Sequence, residues 1–135
     1  FTNLINKLNE VGNYFFYIQC GPEQKEISKN IIFNIKKNNC MDLSNMNIRE
    51  VMPILYLCDM YVGNDSFSHH VTSQCNKPSI VMLLNSPKAY SDYSKNHYRI
   101  IPDNAKIQDL DHLSKHTSDS ISVEKVFNKI IQIRN

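Results

Sequence analysis

Two short apolar runs, Met60-Tyr61-Val62 and Ser79-Ile80-Val81-Met82-Leu83-Leu84, bracket a segment with helical spacing, and together they restrict the folds open to this chain. The second run is apolar at every position after its serine. A strand of that kind is buried on both faces, which is the habit of a parallel sheet. Parallel neighbours need a crossover, and Ser66 to Cys75 has the length and polarity of a connecting helix. The pattern therefore predicts strand Met60–Val62, polar turn, helix Ser66–Cys75, strand Ser79–Leu84, with Asn76-Lys77-Pro78 ending the helix. Asp65-Ser66 falls at the carboxyl end of the first strand and the amino end of the helix. A carboxylate, a hydroxyl and first-turn backbone amides would share that spot, which suits a phosphate-bearing ligand.

The rest of the chain repeats the alternation. Leu4, Ile5, Leu8 and Val11 have helical spacing and stop at Gly12, a C-cap. Tyr14-Phe15-Phe16-Tyr17-Ile18 reads as a strand. Cys20-Gly21-Pro22-Glu23 reads as a turn, with Gly21 free to take positive φ and Pro22 suited to a first helical turn. A helix is expected from there to about Lys37, carrying Ile27, Ile31, Ile32 and Ile35 toward the core. Cys40-Met41-Asp42-Leu43 reads as a short strand. Asn47-Ile48-Arg49-Glu50 has the form of a capping box, opening a helix with Ile48, Val51, Met52, Leu55 and Cys58 on one stripe and Pro53 as a kink or early boundary. After the polar loop 85–96 come an extended run, Tyr98–Ile101, and a polar, poorly patterned segment, 103–121. A final helix is capped by Ser122 and carries Val123, Val126, Phe127, Ile130 and Ile131. The expected class is α/β, a Rossmann-like parallel sheet with helices on both faces, in a single domain over residues 1–135.

Composition excludes several functions. The chain has 135 residues, 41% hydrophobic and 21% charged, with a formal charge of +2, too mild a balance to point to nucleic acid. No apolar run approaches the roughly 20 residues of a membrane span, and no signal peptide is visible. The four cysteines contain no C-x-x-C pair and read as reduced, buried thiols of a cytoplasmic protein. A start at Phe1 and a first element that is a helix suggest the C-terminal part of a longer protein.

The candidate site residues follow from the predicted sheet edge. His70 lies one turn after Ser66 on the same helical face and could donate to a phosphate, whereas His69 points about 100° away and is expected to be packed or solvated. The loop after the Ser79–Leu84 strand emerges at the same edge. Ser86 and Lys88 there suit a diphosphate, and Tyr90 or Tyr93 could line a base or sugar. Glu23 at the same edge could accept ribose hydroxyls. Each has a structural alternative: an N-cap at Asp65 or Ser66 worth about 1 kcal/mol, a solvated loop, and a carboxylate favouring a helix N-terminus at Glu23. With three glycines there is no G-x-G-x-x-G and no G-x-x-x-x-G-K-[ST]. His112 and His116 have helical metal spacing without a third ligand. Ser66 or Ser68 with His70 lacks the glycine-flanked nucleophile elbow.

These residues resemble a known family. Asp65-Ser66-Phe67-Ser68-His69-His70-Val71, with Lys77-Pro78 before a buried strand, is similar to the signature of glycosyltransferase family 9, the ADP-heptose:lipopolysaccharide heptosyltransferases. Cys20-Gly21-Pro22-Glu23 resembles the family's Gly-Pro-Glu turn, and Asp42-Leu43-Ser44 with the helix after it resembles the segment before the motif strand. The resemblance implies the C-terminal half of a GT-B enzyme, lacking its first strand. Asp65, Ser66, Phe67 and His70 would lie at the donor diphosphate with Ser86 and Lys88, Glu23 near the ribose and Met46 near the adenine. The donor would be ADP-heptose or a related nucleotide sugar, with no cofactor or metal and with inversion. A glycan or glycolipid acceptor and the catalytic carboxylate would belong to an N-terminal domain, so no catalytic residue is expected in this chain. The expected setting is surface-glycan synthesis in the bacterial cytoplasm, at the inner face of the membrane. Phe67 departs from the motif glycine, and Leu84-Asn85-Ser86 from a Gly-Pro-Thr run. The alternatives are a non-catalytic nucleotide-binding or interaction module and, more weakly, a nucleotide-sugar epimerase.

Overall fold

A computed structural model describes residues 1–134. The chain divides into two compact units, Phe1–Val51 and Met52–Asn135. The first contains α1 (Thr2–Val11), β1 (Phe16–Ile18), a 3-10 turn (Pro22–Gln24), α2 (Lys25–Phe33) and β2 (Cys40–Asp42). Helix α1 buries Leu4, Ile5 and Leu8, but Val11 is exposed. The helix closes where the Gly12 amide donates to Leu8 O, with Gly12 extended. Strands β1 and β2 run parallel, with Phe16 opposite Cys40 and Ile18 opposite Asp42. Gly21 is extended rather than at positive φ, and Pro22 opens the 3-10 turn as its first residue.

Helix α2 differs from expectation. It ends at Phe33, short of Lys37, so Ile35 lies beyond it. The Asn34 side chain donates to Asn30 O at 2.8 Å, and the Lys36 amide is taken by Asn6 Oδ1 at 2.9 Å. These side-chain bonds compete with helix continuation. Nor do its isoleucines form the buried stripe: Ile27 is exposed and Ile31 and Ile32 are half-buried, while Ser28 is fully buried. Ser28 is buried because its hydroxyl reaches the Asp42 carboxylate at the end of β2.

Helix α3 (Ile48–Leu57) contains the division between the units. Its capping box is formed as expected: Asn47 Oδ1 accepts from the amides of Arg49 and Glu50, and Glu50 Oε2 accepts from the Asn47 amide at 2.8 Å. The helix runs through Pro53 rather than stopping there. Proline removes the amide that would bond the Arg49 carbonyl, and both residues are exposed, so water can take that carbonyl.

The second unit contains β3 (Tyr61–Asn64), α4 (Phe67–Gln74), β4 (Ser79–Met82), a 3-10 turn (Lys88–Ser91), β5 (His97–Ile100), two further 3-10 turns and α5 (Val123–Arg134). Its three strands form a parallel sheet in the order β3-β4-β5. Central β4 buries Ile80 and Val81 completely, as its unbroken apolar sequence required. Asn76 ends α4 in the left-handed conformation, φ 58°, and the Lys77 amide donates back to Thr72 O. This is a Schellman-type stop with asparagine in the usual glycine role. Segment 103–121 is less polar in effect than in composition. Leu110 and Ile121 are buried, Leu110 together with Val81 and Leu83. Ser122 caps α5 by accepting from the Lys125 amide, and Val126 and Ile130 are buried.

The expected alternation of strands and helices is thus realised as α/β structure with parallel sheets, one in each unit. The four cysteines are free, as expected, but half-buried rather than buried. Among the described residues no helix is long and apolar enough to cross a membrane.

Candidate functional site

The end of β3 and the start of α4 build the site in the second unit. Ser66 has the extended backbone of an N-cap, but its side chain makes no cap bond. Its hydroxyl instead lies 3.0 Å from that of Tyr61, which also bonds Asn64 O at 3.0 Å. A carbonyl only accepts, so the Tyr61 proton goes to Asn64 and Ser66 donates to Tyr61. Burial pushes the Tyr61 phenol above its ordinary range, which keeps that proton in place. Phe67, the first helical residue, is exposed. First-turn amides of a helix have no intrahelical acceptor and carry the positive end of its dipole, which favours an anion here.

Asp65 is largely buried and faces two histidines. His69 Nε2 lies 2.7 Å from Asp65 Oδ1, and His70 Nε2 lies 3.6 Å from the same oxygen. The carboxylate accepts, so His69 carries its proton on Nε2 and a lone pair on Nδ1. His69 is completely buried, and its Nδ1 has no hydrogen-bond partner. Burial lowers its pKa to about 4, with the Asp65 bond opposing and repulsion from His70 and His97 assisting, so the ring is neutral near pH 7. The expected packing of His69 is therefore correct, but it is also the nearer partner of Asp65. His70 is half-exposed and its Nδ1 bonds the Tyr93 hydroxyl.

His97, at the start of β5, completes the cluster. Its Nδ1 lies 3.0 Å from Ser91 O and its Nε2 2.6 Å from Ser73 Oγ. Burial lowers its pKa, against the Ser91 bond. Arg99 fixes the approach to β5, donating to Ser91 O at 2.7 Å, to Ser91 Oγ at 2.9 Å and to Asp92 at 2.5 Å.

The structure brings together Asp65, His69, His70, Tyr93 and His97. Lys88 pairs with Asp92 at 3.3 Å, and Ser86 is half-buried at the start of the same loop. Glu23 and Met46 belong to the first unit. Glu23 is exposed in the 3-10 turn, and Met46 is half-buried with its amide bonded to Leu43 O. His112 and His116 lie outside any helix, and His112 bonds the Tyr90 hydroxyl at 3.1 Å. Sequence reasoning did not single out Tyr61 or His97. No local spacing links His97 to α4; only the parallel β4–β5 register places it there.

A family model described as Glycosyltransferase family 9 (heptosyltransferase) matches residues 1–117. No curated protein and no solved structure gives a significant match.

Proposed function

Because the chain belongs to glycosyltransferase family 9, we propose that it is the donor-binding part of an inverting glycosyltransferase that uses a nucleotide-diphosphate sugar, ADP-heptose or a related donor. The observation that carries this reading is the placement of Asp65 and the half-exposed His70 around the amino end of α4, just past the carboxyl end of β3. The helix amides, Ser66 and His70 would stabilise the diphosphate as it leaves, so the transfer step needs no metal. Ser86 and Lys88 would add to the diphosphate contacts. A glycan or glycolipid acceptor, in lipopolysaccharide or another surface polymer, would be held by a separate N-terminal domain that carries the catalytic base. Work at the inner face of a bacterial cytoplasmic membrane fits that role.

Phe67 in place of the motif glycine favours a second reading, a nucleotide-binding or interaction module that performs no transfer. Calorimetric titration of the full chain with ADP, UDP and GDP tests the donor site. ADP should bind selectively, and Asp65→Ala or His70→Ala should weaken it by about 1–3 kcal/mol. Equally poor binding of all three nucleotides by wild type and variants would eliminate the donor reading.

A further inference from the structure

We propose that His69 and His70 on α4 and His97 on β5 form a binding site for a first-row transition-metal ion of the zinc type. One ring nitrogen from each of the three lies within 4.8 Å of the other two. Two of the rings are already set for ligation. His69 gives its Nε2 proton to Asp65, which leaves the Nδ1 lone pair buried and without a partner. His97 gives its Nδ1 proton to the Ser91 carbonyl, which leaves a lone pair on Nε2. Metal-ligating histidines are held in this way, with the other ring nitrogen donating to a carboxylate or a backbone carbonyl.

An ion would also remove a defect. A buried, unpartnered acceptor is costly, and His69 Nδ1 is one. Displacing the Ser73 hydroxyl from His97 Nε2 creates no new defect, because that hydroxyl also reaches His70 O at 3.0 Å. His70 Nε2 is 3.6 Å from Asp65, too long for a hydrogen bond, so neither tautomer of that ring is locked by the carboxylate. Three imidazoles are borderline-soft donors that select zinc, copper, nickel or cobalt over magnesium or calcium. They leave a fourth position for water or an oxygen ligand. Such an ion would tie α4 to β5; it would share His70 with the proposed diphosphate site, and titration without nucleotide reads its binding separately.

Titration of the full chain, kept reduced with a phosphine, tests the site with cobalt(II) spectroscopy and with zinc(II) in competition with a chromophoric chelator. One ion per chain should bind, with a nitrogen/oxygen ligand-field spectrum. His70→Ala changes a half-exposed residue, and circular dichroism checks that it folds. It should weaken zinc by about 10–100-fold or more, the range reached by losing even an outer-shell partner. His97→Gln should weaken it similarly, while the double variant His112→Ala/His116→Ala should bind normally. A thiolate charge-transfer band, unchanged affinity in His70→Ala, loss in the His112/His116 variant, or no saturable site would each overturn the proposal.

Discussion

Asp42 and Asp65 occupy equivalent places in their units, each at or just past the carboxyl end of a parallel strand, and their surroundings differ in kind. Asp42 is closed off. The Ser28 hydroxyl donates to it at 2.8 Å and the Ser44 amide at 2.9 Å. Burial alone would raise its pKa, but those bonds outweigh it and hold the carboxyl below its ordinary value. Asp65 has imidazole partners instead, one buried and one half-exposed, and the buried one keeps an unfilled nitrogen. Topology nominates the carboxyl ends of parallel strands as ligand sites. The neighbours decide which carboxylate has capacity left for a ligand.

The contrast can be broken by mutation. The largest effect is expected for Asp65→Ala, which strips the fully buried His69 N–H of its acceptor. Urea unfolding should show a loss of about 2–3 kcal/mol. A loss below the noise of the measurement would mean that the His69 bond is not formed. Next, Asp42→Ala should cost about 1–2 kcal/mol and Ser28→Ala about 1 kcal/mol, with ADP affinity unchanged in both. If either abolished ADP binding while Asp65→Ala did not, the roles assigned to the two carboxylates would be reversed.

The smallest effect is a pH dependence. The folded-state pKa of Asp42 lies below its unfolded value of about 4. Its contribution is therefore fully present above that unfolded value and is lost as pH falls through the lower folded one. Comparing unfolding curves of wild type and Asp42→Asn across that acidic window should show a steeper loss in the wild type. Parallel curves would remove Asp42 from the account.

Much of the fold was legible from short windows. The unbroken apolar run of β4, the Asn47/Glu50 box, the Asn76-Lys77-Pro78 stop and the Ser122 cap each depend on residues within a turn or two of one another. The Asp65-Ser66 position at a strand–helix junction was legible for the same reason. Less visible was the early end of α2, because Asn6 Oδ1, on α1 and 30 residues earlier, takes the Lys36 amide. The burial of Leu110 and Ile121 was hidden by polar neighbours in a segment with no period to read.

By itself, then, the sequence determined the α/β alternation, the caps and the family, since local hydrogen bonds and apolar period are properties of neighbouring residues. Only the tertiary structure decided that His97 would reach His69 and His70, and that Asp42 would be sealed by Ser28. Those meetings depend on strand register and on crossovers between distant segments, and no local window of residues encodes them.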